Sequence, residues 1–452
     1  MFVASTYGKK EIFSEIEPDL IIFGANELVT MKTTYGAPRI REDMSNLAII
    51  NDGAIAVKED RIIFTGSTDE LISKYNFKKI ENKIDATNKL VTPGFVDPHT
   101  HIIFDGTREN ELHMKLEGKS YLDILNEGGG ILKTVRDTRK APIEKLVLNG
   151  KKILDQMLNY GTTTIETKSG YGLTTESELK ILKAIKILND EHCIDVIPTF
   201  LGAHAIPTEF QDNPEEYVDI IINEMIPTIV KENLAEFCDV FCDEGIYSID
   251  QTRRILQTAR RYGLQPIIHI DEIVDTNGAK LAAELMALQA GHLLKSNEEG
   301  LKAMATSKVI ATLLPGTPFC LMLDEYAPAR KMIDMGVPIA LATDLNPNCW
   351  TASMQMIIAL ACYNMQLTPA EALTASTINS ACAIQRQDEI GSIEVGKKAD
   401  LVIFDVPNHQ FLPYQFGVNL VLKVIKNGKI VVDKNQLEKV GEKKGKIKGS
   451  LF

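Results

Sequence analysis

Eight histidines occur in the 452-residue chain, and five of them fall where predicted buried strands end. These five are His99, His101, His204, His269 and His292. Asp344 ends a further strand of the same kind. Imidazole and carboxylate groups bind divalent metal ions and move protons near neutral pH. The pattern therefore predicts a metal-dependent site that activates water.

His99 and His101 form an H-x-H pair. Residues i and i+2 of a strand point to the same face, so both imidazoles can reach one ion. The pair alone is a weak signal, because short motifs often arise by chance. With His269 and Asp344 it becomes a set of three histidines and one carboxylate, which suits one Zn²⁺ or Fe²⁺ with a position open for water. The alternative interpretation makes His269 a core histidine and Asp344 a turn residue.

Three further roles follow from this chemistry. Asp344 is the candidate proton carrier between the water and a leaving nitrogen. His292 is placed to hydrogen-bond a developing oxyanion, or else it is a buried core histidine. Glu272, three residues past His269, orients the water or binds a ring N–H, or else it is an ordinary acid near a helix N-terminus.

Eight apolar runs alternate with amphipathic stretches between residues 89 and 388 and predict a (β/α)8 TIM-like barrel. The runs are LVTPGFVDPHTHIIF, TTTIETK, DVIPTFLGAHA, EFCDVFCDE, QPIIHIDE, AGHLL, KVIATLLPG and VPIALATDLN. Helical spacing is clear in EKLVLNGKKILDQMLNYG and ESELKILKAIKILNDE. In such a barrel the carboxyl ends of the strands converge at one mouth, where catalytic groups gather. An open doubly wound sheet is the alternative, but no strand is followed by a G-x-G-x-x-G turn.

The two ends of the chain have a different pattern. Residues 1–88 and 389–452 contain short apolar runs separated by turns, which predict one small β-sandwich domain built from both termini. Asn427-Gly428 is a strong hairpin signal within the second part.

The overall composition limits the possible partners and location. A formal net charge of −12 disfavours nucleic acid, which needs a basic footprint, but permits a small anionic substrate. No apolar run reaches the ~18 residues of a membrane span, and the first residues do not resemble a signal peptide. Seven scattered cysteines without a C-x-x-C motif favour the reducing cytoplasm.

Several motifs resemble known families. VTPGFVDPHTH, HIDE and ATD are similar to the amidohydrolase superfamily. FDGTRENELHMKLEGKSYLDILNEGGGILKTVRDTR, TTTIETKSGYGL, FLGAHAIP and ATDLNPNCW resemble the imidazolonepropionase family, and the likeness covers nearly the whole chain. The resemblance implies hydrolysis of 4-imidazolone-5-propanoate to N-formimidoyl-L-glutamate, the third step of histidine degradation, and a homodimer. It places the metal ligands on His99, His101, His269 and Asp344.

The resemblance also implies which residues contact the substrate. They are Arg108, Tyr171, His204, Glu272, Asn346 and Asn348. The substrate has a carboxylate tail, and arginine offers a planar fork that binds a carboxylate through two hydrogen bonds. From the residues alone, Arg108 would instead form a surface ion pair with Glu109 or Glu111, and Tyr171 would be a loop aromatic. The chain departs from many family members at Gly291, where they have Asp, and at Asn348-Cys349, where they have Gly and a hydroxyl residue.

Three other functions are open at this point. A single-metal deaminase of an aromatic heterocycle shares the metal set, but its substrate has no carboxylate for Arg108 and Tyr171. A two-metal hydantoinase-like site needs a bridging lysine after the fourth strand, and Lys168 lies in the second strand segment instead. A non-catalytic scaffold with the same barrel is the third alternative.

Overall fold

The strands of the protein form a parallel barrel and a smaller sheet. The structure, a computed structural model, describes residues 16–32, 36–119, 123–124 and 127–435. Residues 1–15 and 436–452 of the predicted terminal domain, and residues 120–122 and 125–126 of a family motif, lie outside this description. The strands are β1 (Leu20–Val29), β2 (Ile49–Lys58), β3 (Arg61–Ser67), β4 (Asn82–Asp85), β5 (Leu90–Pro93), β6 (Phe95–Thr100), β7 (Thr162–Lys168), β8 (Asp195–Ala203), β9 (Phe237–Cys242), β10 (Gln265–Pro266), β11 (Ile268–Ile270), β12 (Gln289–His292), β13 (Ile310–Leu313), β14 (Ile339–Leu341), β15 (Leu401–Phe404), β16 (Val421–Lys426) and β17 (Lys429–Asp433).

Strands β6 to β14 form the barrel, with β10 and β11 sharing the fifth position. Neighbouring strands pair in parallel from β6 through β14. Backbone hydrogen bonds next to the first and last strands close it: the Asp344 N–H donates to the His99 carbonyl at 3.1 Å, and the His101 N–H donates to the Leu345 carbonyl at 2.9 Å. The predicted (β/α)8 barrel is confirmed.

Helices lie between the barrel strands along the chain and pack around the barrel, except that the first of them contacts β2 and β3 of the smaller sheet. They are α1 (Thr68–Lys74), α2 (Glu109–Leu116), α3 (Gly130–Lys140), α4 (Ile143–Asn159), α5 (Thr175–Glu191), α6 (Pro214–Ile220), α7 (Ile226–Lys231), α8 (Ile249–Arg261), α9 (Gly278–Glu284), α10 (Glu298–Ser307), α11 (Gly316–Leu321), α12 (Ala329–Met335), α13 (Met354–Met365), α14 (Pro369–Ala375), α15 (Ile378–Ala383) and α16 (Phe411–Tyr414). The two predicted helical patterns correspond to α4 and α5. In the parts of the chain described above, no helix combines the length and apolar character needed to cross a membrane.

The smaller sheet contains strands from both ends of the chain, in the order β17-β16-β15-β5-β1-β2-β3, with β4 also paired to β1. A terminal sheet domain is therefore confirmed. Its strands belong to one branched sheet rather than to two separate sheets, because β1 pairs along one edge with both β4 and β5. Asn427 and Gly428 join β16 to β17 with φ of +48° and +75°, as the hairpin signal predicted.

The chain passes from the terminal sheet to the barrel later than the sequence suggested. The run LVTPGFVDPHTHIIF is not a single barrel strand, because its first part, β5, pairs with β15 and β1 of the smaller sheet. Gly94 separates β5 from β6, and a Cβ there would lie only 2.3 Å from Thr163 Oγ1. Glycine therefore lets the backbone pass close to β7 as it changes sheets.

Candidate active site

Three histidine rings meet at the mouth of the barrel. His99 lies in β6, His101 follows the last residue of β6, and His269 lies in β11. One ring nitrogen of each lies within 4.8 Å of those of the other two, and all three side chains are buried. The structure thus brings together the three histidines that strand position and spacing had selected.

Asp344 adds a carboxylate to this cluster. Its Oδ1 lies 3.7 Å from His99 Nε2 and 3.5 Å from His101 Nε2. Its Oδ2 accepts a hydrogen bond of 2.5 Å from the Thr317 hydroxyl, a partner that sequence reasoning missed. Burial raises the pKa of the Asp344 carboxyl, which favours uptake of a proton. One oxygen is therefore held by α11 while the other faces the histidines.

The donor set fits a divalent cation. His99 Nε2 and His269 Nε2 are buried and have no hydrogen-bond partner among the described residues. Burial lowers the pKa of both His99 and His101 well below the usual value, so these rings are neutral and keep a free lone pair. Three imidazoles and one carboxylate form a set suited to Zn²⁺ or Fe²⁺.

A buried carboxylate supports His269 from behind. Asp239, in β9, places Oδ2 at 2.9 Å from His269 Nδ1. Burial opposes ionisation of Asp239, but His269 and the Lys168 ammonium outweigh it and lower its pKa to about 2. A carboxylate on one ring nitrogen fixes the orientation of a metal-binding histidine and makes its other nitrogen a better ligand.

Lys168 connects this carboxylate to a second one. Its Nζ lies 3.1 Å from Asp239 Oδ2 and 2.9 Å from Glu166 Oε1, and all three side chains are buried. Sequence reasoning considered Lys168 only as a misplaced bridging lysine. The charged residues inside the apolar runs TTTIETK and EFCDVFCDE are the signal that could have revealed this network of ion pairs, because buried charges are rarely left unpaired.

His204 follows β8 and stacks on His101 of the histidine cluster. Its ring lies 5.0 Å from that of His101, with 19° between the planes. Burial and the neighbouring His269 lower its pKa to about 3, so the ring is neutral. Nδ1 lies 3.1 Å from the Gly170 carbonyl and is therefore the protonated nitrogen, which leaves Nε2 as an acceptor.

His292 is the last residue of β12 and has a left-handed backbone, with φ of +73°. Its ring centroid lies 5.3 Å from that of His269 and 5.7 Å from that of His99. A Cβ on the preceding Gly291 would lie 2.9 Å from His99 Cε1. Glycine at position 291, where many family members have Asp, therefore leaves room for the His99 ring. His292 still faces the cluster.

Glu272 lies in the loop after β11, with Oε2 at 3.5 Å from His292 Nε2. Burial and the charge of Asp344 raise its pKa to about 8, so it holds a proton at neutral pH. Asp243, which sequence reasoning missed, shapes this loop: its carboxylate accepts hydrogen bonds from the N–H groups of Glu272 and Ile273, both at 2.9 Å.

Arg108 lies immediately before α2, and its side chain is only 9% exposed. The guanidinium donates from Nε and Nη2 to the two oxygens of Glu111, at 2.9 and 2.7 Å. The ion pair with Glu111 expected as an alternative therefore exists, but its two side chains are only 9% and 2% exposed, so it is not an open surface pair. Arg108 Nη1 makes no hydrogen bond to the described residues, so one edge of the fork remains free.

Tyr171 follows β7 and is buried beside the cluster. Its ring lies 5.2 Å from His204 and 6.0 Å from His101. Burial raises the pKa of the phenol, and the charge of Arg108 acts in the opposite direction. The phenol is therefore protonated and within electrostatic reach of Arg108, while its hydroxyl has no hydrogen-bond partner among the residues described.

Asn346 and Asn348 follow Asp344 in the loop after β14. The Asn346 amide donates to the Asp344 carbonyl at 2.7 Å and accepts from the N–H groups of Asn348 and Cys349, at 2.8 and 3.0 Å. Asn346 thus shapes the loop, and contact with a ligand is left to its remaining amide hydrogen. Asn348 Oδ1 accepts a hydrogen bond of 2.8 Å from Lys115 Nζ, a contact that the sequence did not predict.

Solved structures share this architecture at low sequence identity. An adenosine deaminase from Xanthomonas campestris with bound zinc superimposes with a TM-score of 0.68 and 18% identity, covering 94% of this chain and 97% of that one. Guanine deaminase from E. coli gives a TM-score of 0.68 at 16% identity, covering 92% and 99%. At this level of identity the likeness establishes the fold alone.

Sequence relatives are much closer. An imidazolonepropionase from Alkaliphilus metalliredigens is 54% identical over 93% of this chain and 99% of its own length, and one from Clostridium tetani is 48% identical over 92% and 99%. The model of the amidohydrolase family matches residues 90–431. With the cluster of histidines at the barrel mouth, these matches show that the chain belongs to the amidohydrolase family, within the group of the imidazolonepropionases.

Proposed function

We propose that this protein hydrolyses the ring C–N bond of 4-imidazolone-5-propanoate to give N-formimidoyl-L-glutamate, the third step of histidine degradation. The observation that carries the proposal is the largely buried Arg108, which keeps one edge of its guanidinium free within electrostatic reach of Tyr171, whose ring lies 6.0 Å from that of His101. A purine or cytosine has no carboxylate to occupy that edge, so the geometry favours the propanoate over a deaminase substrate.

His99, His101, His269 and Asp344 would hold one divalent ion, Zn²⁺ or Fe²⁺. When bound, such an ion lowers the pKa of water to about 7 and polarises a carbonyl group. Asp239 and Lys168 keep His269 in the orientation that ligation requires. Lys168 is occupied by two carboxylates, which supports a single ion without a bridging lysine.

Three side chains would carry the proton transfers and the developing charge. Asp344 accepts a proton from the attacking water through Oδ1 and returns it to the leaving ring nitrogen. His292 donates an N–H to the carbonyl oxygen as negative charge develops on it. Glu272, protonated at neutral pH, donates a hydrogen bond to the ring of the substrate or to the water.

The substrate would lie between the cluster and α2. The free edge of Arg108 and the Tyr171 hydroxyl bind the carboxylate tail. Their hydrogen bonds offset the desolvation cost of the carboxylate. His204 accepts a ring N–H through Nε2. Asn346 and Asn348 close the other side of the pocket from the loop after β14.

The resemblance to imidazolonepropionases favours a homodimer. The seven free cysteines of the chain suit the reducing cytoplasm. The net charge of −12 argues against nucleic acid as a partner, and no membrane partner is proposed.

Arg108→Met tests the substrate assignment. Loss of one partner of a buried charge pair costs about 2–5 kcal/mol, so kcat/KM on imidazolonepropanoate falls about 30- to 4,000-fold, while the bare imidazolone ring is affected little. Arg253→Met is the matched control, because Arg253 pairs with Glu284 at the surface, where a pair contributes about 0–1 kcal/mol. Equal losses on both compounds, or none on either, would contradict the assignment.

A further inference from the structure

A second cation, Lys115, lies near Arg108 at the barrel mouth. Arg108, Glu111 and Lys115 are spaced by three and four residues, so they follow one face of α2. The Lys115 side chain is half-buried, and its Nζ donates to Asn348 Oδ1 at 2.8 Å. Lys115 therefore reaches from the helix after the first barrel strand to the loop after the last one.

The charges of this group do not balance. Among the residues that the structure describes, Glu111 is the carboxylate that pairs with Arg108, and both of its oxygens already accept hydrogen bonds from that guanidinium. Burial opposes ionisation of Glu111, but Arg108 and Lys115 together outweigh it and lower its pKa. Among the described residues, Lys115 forms no ion pair, and two of its three N–H donors have no partner. Within this group of three side chains, two cations and one carboxylate leave an excess of positive charge.

A half-buried ammonium that lacks a carboxylate partner has lost part of its hydration without full compensation. Burial and the charge of Arg108 accordingly lower the pKa of Lys115. An anion that enters the mouth would offset both the lost hydration of Lys115 and the repulsion between Lys115 and Arg108. It supplies acceptors for the free N–H groups and neutralises the excess charge.

We propose that Lys115 is a specificity-determining residue that binds the carboxylate tail of the substrate together with Arg108. The inference rests on the proposed function, because it takes the propanoate as the anion. Arg108 provides the planar fork and Lys115 a movable point charge, so the pair selects a tail of defined length and charge. Asn348 positions the ammonium for this contact.

Binding of imidazole-4-propanoate and of its neutral propanamide separates this role from a purely structural one. Lys115→Met weakens binding of the propanoate by roughly tenfold, between the effects of exposed and buried pairs, and leaves the propanamide within about twofold. On imidazolonepropanoate the same variant raises KM by a similar factor with little change in kcat. Lys115→Arg retains most of the affinity for the charged compound, because it keeps the positive charge.

Lys119→Met is the matched control, because Lys119 follows α2 and pairs with Glu127. It leaves the binding of both compounds unchanged. If Lys115→Met weakens the binding of both compounds equally, or of neither, the role of Lys115 is overturned. Turnover of imidazolonepropanoate by the wild type would in that case leave the proposed function intact. A wild-type protein that neither opens the ring nor prefers the propanoate over the propanamide would overturn the proposed function as well.

Discussion

Replacing Asp239 by Asn tests how the site holds its metal. The carboxylate lies 2.9 Å from His269 Nδ1 and 3.1 Å from Lys168 Nζ. Asn keeps an acceptor in nearly the same shape but removes the charge that orients the ring and increases its basicity. Loss of such an outer partner typically weakens metal binding by about 10–100-fold, or about 1.4–2.8 kcal/mol.

The substitution also affects the metal-free fold. Breaking a buried charge pair can cost about 3–5 kcal/mol, but Lys168 retains Glu166 at 2.9 Å, so we expect a smaller loss of stability. Asp195→Asn is a matched control for this effect: Asp195 begins β8 and pairs with Lys426 at 2.9 Å, away from the histidine cluster. It should lower stability without changing metal affinity.

Metal affinity is measured by competition with a chromophoric chelator, and stability by thermal unfolding of the metal-free proteins. We expect weaker metal binding for Asp239→Asn and wild-type metal binding for Asp195→Asn. If both variants bind the ion as the wild type does, the support of His269 by Asp239 has no energetic consequence and the reasoning is refuted.

Three further substitutions address the chemistry and its pH dependence. Asp344→Asn should lower kcat by at least ~10²–10⁴-fold even in metal-saturated samples, because the proton carrier is lost; near wild-type turnover would exclude that role. His292→Ala should lower kcat by ~10²–10³-fold with little change in KM, and unchanged turnover would make His292 a packing residue. The pKa of Glu272 is about 8 in the folded protein and 4.5 in the unfolded chain, so between these values only the folded protein keeps the proton. The free energy of unfolding of the metal-free protein therefore falls as pH rises through this window, by up to ~5 kcal/mol. Denaturant unfolding of metal-free Glu272→Gln should show a smaller decline between pH 5 and 8, and parallel curves would argue against the raised pKa.

The fold and the histidine cluster could be predicted because their signals are local. Apolar runs of strand length mark β6 to β14, and the parallel barrel places the ends of all these strands at one mouth. His99, His101, His269 and Asp344 each lie at or just beyond such an end. Knowledge of the fold class was therefore enough to bring them together.

The contacts that tune the site could not be predicted, because they join distant segments. Lys115 and Asn348 are 233 positions apart, and nothing near either residue indicates the other. The Asp239 carboxylate and its partner Lys168 lie on different strands, and their pairing depends on which strand faces contribute to the barrel interior. Arg108 illustrates the same limit: spacing suggested a pair with Glu111 but not its burial.

The central claim is that one metal ion, held by three histidines and Asp344, supports hydrolysis of the imidazolone ring. Titration of metal-free protein with Zn²⁺ or Fe²⁺, followed by the decay of imidazolonepropanoate absorbance and by identification of the product, tests it most directly. We expect that activity rises to a maximum at about one ion per chain, disappears with a chelator and yields N-formimidoyl-L-glutamate. Ring opening that requires two ions per chain, or its absence from the fully loaded protein, would contradict the account.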